Sequence, residues 1–195
     1  MVRELGKVPV GISGRHIHVS REDLETLFGE GYELTPLKEL SQPGQFAAEE
    51  VVTLVGPKGV LQKVRILGPV RGSTQVEISR TDGFTLGIRP PVRESGDIEG
   101  SASVTVVGPK GSITLKEGVI VASRHIHMSP DDAAKMGLKD KDTVDVRVDG
   151  DRALTFNNVL IRVREDFALD FHVDTDEANA AGLNNQDMVT VLKAD

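Results

Sequence analysis

The stretch Gly14-Arg15-His16-Ile17-His18-Val19-Ser20 returns almost unchanged as Ser123-Arg124-His125-Ile126-His127-Met128-Ser129. A chain that carries one signature near its start and again past its middle is built from two copies of one plan. A finer repeat lies inside the second copy. The stretch that starts at Asp131 aligns with the one that starts at Asp176, matching Gly137 with Gly182, Leu138 with Leu183, Asp142 with Asp187 and Val144 with Val189. The same alignment carries His127 onto His172. The first half holds degenerate versions: His18-Val-Ser-Arg-Glu-Asp23 and Glu77-Ile-Ser-Arg-Thr-Asp82 follow the pattern of His127-Met-Ser-Pro-Asp-Asp132. Four units therefore begin at His18, Glu77, His127 and His172.

Local chemistry says what each unit is. Ser20, Ser79, Ser129 and Asp174 lie two residues beyond the four starting positions, and Asp23, Asp82, Asp132 and Glu177 lie three further on. An N-cap oxygen followed by an acid at the third helical position marks a helix start. Pro130 suits a first helical position, and Gly29, Gly137 and Gly182 suit helix ends. In the second unit Gly83 follows at once, so a mere turn is expected there. Segments such as Val60–Leu67, Asp145–Val148, Val159–Val163 and Met188–Leu192 alternate or are β-branched, as strands are. The two Val-Gly-Pro-Lys-Gly segments, ending at Gly59 and Gly111, lack a full phosphate-loop pattern and read as hairpin turns. The stretch Tyr32–Glu50, with Pro36, Pro43 and Gly44, reads as a surface loop. The fold class that results is mainly β with short helices: two small β-barrel domains built from internal repeats.

Composition narrows the chemistry. There is no cysteine among the 195 residues, which excludes disulfides, thiolate nucleophiles and Cys-ligated metals. A net charge of −7 and 4% aromatic residues argue against a nucleic-acid surface. No apolar run reaches membrane-spanning length, and the first residues lack a signal-peptide core. The expected location is the cytoplasm, with no membrane partner.

All five histidines fall in the repeated signatures. Residues i and i+2 of a strand share a face, so His16 and His18 project together, as do His125 and His127, while Ile17 and Ile126 point the other way. Two imidazoles on one face, joined by a third donor from a related unit, suit a transition metal. Two sites follow: His16, His18 and Glu77 form one, and His125, His127 and His172 the other. Glu77 stands where the other half has His172, and a carboxylate is a natural replacement ligand; it could instead bridge two ions. Three protein donors leave a coordination position open, as in catalytic zinc sites. Arg15, Arg71, Arg93 and Arg124 lie near these motifs, and one of them is expected to fork onto a phosphate or carboxylate. Backbone N–H groups at Ser95-Gly96 offer a nest for the same anion.

These motifs together resemble the PduL-type phosphotransacylases, the phosphate propanoyltransferase family. The resemblance rests on Gly14–Ser20, on Ile66-Leu-Gly-Pro-Val-Arg71 followed by Gln75-Val-Glu77-Ile-Ser79, on Pro91-Val-Arg-Glu-Ser-Gly96, on Ser123–Ser129 and on His172-Val-Asp174. It spans nearly the whole chain. It implies reversible transfer of a short acyl group, acetyl or propanoyl, between coenzyme A and inorganic phosphate. It implies two zinc ions in a site between the barrels, on His16, His18, Glu77, His125, His127 and His172. Arg71 falls on the family's phosphate-binding arginine, and Ser95 and Arg93 fall near the same substrate pocket. It also implies that the N-terminal strand pairs into the second barrel, giving domains of 16–123 and 124–195 plus 1–15. Met1–Lys7 is too short for the amphipathic extension of microcompartment-packaged members, which leaves a cytosolic role and microcompartment association both open. A homo-oligomer is compatible with everything above. Two rivals stay open: a metal-dependent hydrolase that activates water with the same ions, and a zinc-stabilised barrel that serves as a binding module.

Overall fold

A computed structural model describes residues 2–194. In chain order the elements are β1 (Val2–Ser13), β2 (His16–His18), α1 (Arg21–Phe28), β3 (Pro36–Glu39), β4 (Phe46–Val55), β5 (Val60–Gly68), β6 (Gln75–Glu77), α2 (Arg80–Leu86), β7 (Val92–Arg93), β8 (Ala102–Val107), β9 (Ser112–Ala122), β10 (His125–Met128), α3 (Pro130–Met136), β11 (Thr143–Val148), β12 (Leu154–Val163), β13 (Asp170–Asp174), α4 (Thr175–Ala181) and β14 (Met188–Ala194). None of the described helices is long and apolar enough to cross a membrane. The chain divides into two compact units.

One unit comprises Gly14–Leu40 and Gly44–Ala122. Its strands close a six-membered ring: β4 pairs with β5, β5 with β2, β2 with β6, β6 with β9, β9 with β8, and β8 with β4. β3 and β7 extend this ring on β4 and β9. Ile17, Val52, Leu54, Ile66, Val76, Val106 and Val119 fill its core, together with Leu24 and Leu27 of α1.

The other unit comprises the residues up to Ser13, Ser41–Pro43, and those from Ser123 onward. It is a closed barrel in the order β1-β13-β10-β12-β11-β14. Val8, Val10, Ile126, Met128, Val146, Ile161, Phe171 and Val191 fill it. The pairings reproduce the first ring strand for strand. The His-x-His strand is parallel to one neighbour (β2 with β5, β10 with β12) and antiparallel to the strand bearing the third donor (β2 with β6, β10 with β13). That donor strand is in turn parallel to β9 in one barrel and to β1 in the other. Each barrel is therefore completed by the strand that precedes the other barrel's His-x-His strand. Closure removes the exposed edges that short strands would otherwise present.

All four helix starts expected from sequence form. The side chains of Ser20, Ser79, Ser129 and Asp174 accept from the backbone N–H groups of Asp23, Asp82, Asp132 and Glu177. In α4, Glu177 also accepts from the Asp174 N–H, completing a reciprocal capping box. Two expectations change. First, α2 does not stop at Gly83 but runs to Leu86 and ends on Gly87, a left-handed cap. Gly83 survives inside the helix because the chain returns against it: a Cβ there would lie 3.1 Å from the Ile88 carbonyl oxygen and from Pro90. Second, Tyr32–Glu50 is not a surface loop. It contains β3 and the start of β4, and its Gln42 is 4% exposed, donating to Ala168 O and accepting from Ala168 N. Glu50, 7% exposed, accepts from the Tyr32 hydroxyl at 3.0 Å and from the Thr35 N–H at 3.1 Å.

Candidate metal centre

Strand register builds the first site. β2 runs antiparallel to β6, with His16 opposite Glu77 and His18 opposite Gln75. Ile17 is fully buried on the core face, and that anchors the two histidines on the other. One ligand atom from each of His16, His18 and Glu77 lies within 4.8 Å of the others. His16 Nε2 stands 3.5 Å from Glu77 Oε2. All three side chains are buried.

Hydrogen bonds set the histidine tautomers. His16 Nδ1 lies 2.8 Å from Gly14 O, and His18 Nδ1 lies 3.2 Å from Leu67 O. A carbonyl oxygen only accepts, so each Nδ1 carries a proton and each Nε2 is the ring nitrogen left to face an ion. Burial, helped by the neighbouring His16 and Arg71 charges, pushes the His18 pKa down to about 3. His18 is thus neutral, as a metal ligand must be.

Register builds the second cluster in the same way. β10 runs antiparallel to β13, with His125 opposite His172 and His127 opposite Asp170. Ring centroids of His125, His127 and His172 are separated by 4.5, 4.8 and 5.1 Å. His125 Nδ1 lies 2.7 Å from Ser123 O, the counterpart of His16 on Gly14. Burial pushes the His127 pKa down to about 2, with His125 and His172 adding to the effect. His127 Nδ1 and His172 Nε2 are buried without a hydrogen-bond partner. Such orphaned nitrogens are of the donor type that a borderline ion such as zinc takes, but among the described residues only His16, His18 and Glu77 bring their donor atoms within 4.8 Å of one another.

The arginines sort themselves. Arg15 pairs with buried Asp82 at 2.7 Å, and Arg124 pairs with Glu177 at 3.2 Å while lying over the Phe156 ring. Each therefore ties a His-x-His strand to the helix behind the third donor. Arg93 pairs with Asp97 at 3.4 Å near the surface. Arg71 is joined to the strand end that follows His18. Its N–H donates to Val19 O, its Nη2 reaches Gln45 Oε1 at 3.5 Å, and its charge is felt by His18. Ser95 accepts from Gln75 Nε2, which also donates to Glu77 Oε1 at 2.6 Å. The Gly96 N–H is spent on Gln75 Oε1 at 2.7 Å, so it forms a clamp on Gln75 rather than an anion nest.

Sequence reasoning missed Gln75 and Asp170. Each lies two residues before the third donor of its cluster, on the same strand face, and the period-two rule applied to Glu77 and His172 picks them out.

Known proteins resemble this chain over most of its length. The family profile described as phosphate propanoyltransferase matches residues 9–184. A phosphate propanoyltransferase of Thermotoga maritima is 64% identical over 194 residues, covering 99% of this chain and 92% of that protein. One of Rhodobacter capsulatus is 57% identical, covering 95% and 86%. One of Clostridioides difficile is 50% identical, covering 98% and 92%. A profile match over nearly the whole length, with identities this high, places the chain in the phosphate propanoyltransferase family.

Proposed function

We propose that this protein is a zinc-dependent phosphate acyltransferase: acyl-CoA plus inorganic phosphate gives acyl phosphate plus CoA, reversibly, with acetyl or propanoyl as the acyl group. The observation that carries this reading is the buried His16, His18 and Glu77 cluster with the Arg71 charge beside His18, in a chain whose relatives are named phosphate propanoyltransferases. The donors fit two zinc ions, one on His16, His18 and Glu77 and one on His125, His127 and His172. When bound, zinc supplies Lewis-acid stabilisation of charge developing on the thioester oxygen and the departing sulfur.

The chain's own residues do the rest. His18 and His127, both held neutral by burial, offer lone pairs without adding charge that would repel an ion. Gln75, held by Ser95 and Gly96, fixes the Glu77 carboxylate in place. Arg71 holds phosphate by a forked contact, so that its oxygen is positioned for attack on the carbonyl carbon. The new C–O bond forms as the C–S bond breaks, and the electron pair leaves on the CoA sulfur. No cysteine exists to form a thioester on the enzyme, which favours direct transfer.

The test is CoA release from acetyl-CoA and propanoyl-CoA with phosphate present or omitted. Release that requires phosphate is expected. Release at equal rate without phosphate would establish a hydrolase instead.

A further inference from the structure

Arg162 lies on β12 opposite His127 of β10, in the parallel ladder that also pairs Ile161 with Ile126. Both isoleucines are fully buried in the barrel core, so Arg162 and His127 share the outer face. The guanidinium of Arg162 lies over the ring of Phe167, with Cζ 5.7 Å from its centroid. That ring packs in turn against His127, centroid to centroid 4.1 Å. Phe167 is buried and Arg162 half-buried. An aromatic face steadies a guanidinium without using any of its five N–H donors.

The other charges around His127 are committed. Arg164, which also lies over Phe167 at 4.8 Å, forks onto Asp166 at 2.6 and 2.9 Å. Asp170, on the other flank of His127, accepts from the Ser41 hydroxyl. Among the described residues Arg162 has a ring beneath it but no carboxylate paired with it. The first barrel spends its matching guanidinium differently. On β5, which pairs with β2 as β12 does with β10, Arg65 stands opposite His16. Its Nη1 donates to the carbonyl oxygens of Ala48 and Glu49 at 3.0 and 2.7 Å.

A half-buried cation without a counter-charge carries a desolvation cost that an anion would offset. The fork of a guanidinium matches phosphate oxygens in particular. Both substrates of the proposed reaction carry such oxygens, inorganic phosphate in itself and coenzyme A in its nucleotide part. We propose that Arg162, seated on Phe167, binds a phosphate group of the substrates on the histidine-bearing face of the second barrel. The inference rests on the transferase reading above for the identity of its ligand.

Steady-state kinetics on the full-length, zinc-loaded protein test this, with acetyl-CoA, with acetyl-pantetheine (which lacks the nucleotide) and with varied phosphate. Arg162→Gln is expected to raise one KM by about 10- to 100-fold. A rise in the KM for phosphate, with both thioesters, identifies inorganic phosphate as the ligand. A rise in the KM for acetyl-CoA but not for acetyl-pantetheine identifies a phosphate of coenzyme A. Binding is read separately from turnover: at fixed ionic strength, phosphate or CoA should raise the melting temperature of the wild type more than that of Arg162→Gln. Arg162→Lys keeps the charge but not the fork; it should show a smaller change of the same kind, and it gives the answer if Arg162→Gln fails to fold. Wild-type KM values and wild-type melting shifts in the variants would overturn the assignment and leave the transferase reading intact. Wild type without phosphate-dependent CoA release would overturn the transferase reading instead, and the melting shifts would still decide whether Arg162 takes the anion.

Discussion

Arg15 and Arg124 each precede a His-x-His pair, but their charges are matched by Asp82 and Glu177. Arg71 places its charge beside His18 of the first cluster, as Arg162 and Arg164 do beside His127 of the second. A hydrogen bond to a charged group contributes about 1.5–3 kcal/mol, so Arg71→Ala should raise the KM for phosphate by about 10- to 100-fold. Metal content should not change; loss of metal in step with activity would give Arg71 a structural role. A second residue-scale prediction uses the single tyrosine of a chain without tryptophan. The hydrogen bond to Glu50, with burial and the negative charges of Glu50 and Glu49 behind it, raises the Tyr32 pKa above its ordinary 10.0. An ultraviolet titration near 295 nm reads this group alone, and Glu50→Gln should move the midpoint down. Burial works against the Glu50 charge, but hydrogen bonds from the backbone and from the Thr35 and Tyr32 side chains outweigh it and hold its pKa below 4.5. The stability it contributes is present above that ordinary value and is lost as pH falls below it. Glu50→Gln should therefore flatten the acid limb of the stability curve, measured by urea unfolding at a series of pH values.

At the scale of elements, the two Val-Gly-Pro-Lys-Gly hairpins do more than turn the chain. Gly56 and Gly108 donate to Gly59 O and Gly111 O, closing the turns, while the Lys58 and Lys110 N–H groups donate to Leu86 O and Leu27 O. Each hairpin thereby caps the carbonyl end of a helix, β4–β5 serving α2 and β8–β9 serving α1. The approach is close enough that a Cβ on Gly56 would lie 2.3 Å from Leu86 O, and one on Gly108 2.5 Å from Leu27 O. Gly108→Ala should destabilise the protein by about 1–3 kcal/mol, visible as a lower urea midpoint. The turns themselves were legible in the sequence, because Gly-Pro-Lys-Gly is local chemistry. Their second role was not, since it depends on which helix the fold brings near. The same division runs through the chain. The four caps, the paired histidines and Glu77 as a counterpart of His172 follow from spacing alone. The continuation of α2 through Gly83 does not, because Ile88 and Pro90 cover that glycine from outside the helix. Nor does the burial of Gln42, whose partner Ala168 is 126 residues away.

At the scale of the molecule, the internal repeat dictates two rings of one topology, and the exchange of their first strands dictates how far each half can stand alone. Residues Gly14–Ala122 contain all six strands of their ring, β9 included. Residues from Ser123 onward lack β1, which pairs with both β13 and β14. A fragment of 14–122 should give a cooperative thermal transition. A fragment of 123–195 should not, until a peptide spanning Val2–Ser13 is added. A cooperative 123–195 fragment without that peptide would show that β1 is dispensable.

That exchange also fixes an order of events at the ribosome. Among the described strands β1 is made before all others, yet its partners β13 and β14 are made last. At about 5–20 residues per second, Val8 and Val10 must wait on the order of ten to forty seconds for the groove that buries them. The nascent chain finishes one barrel while its own leading segment remains unclaimed. The other barrel closes only once β13 and β14 have emerged to take β1 between them.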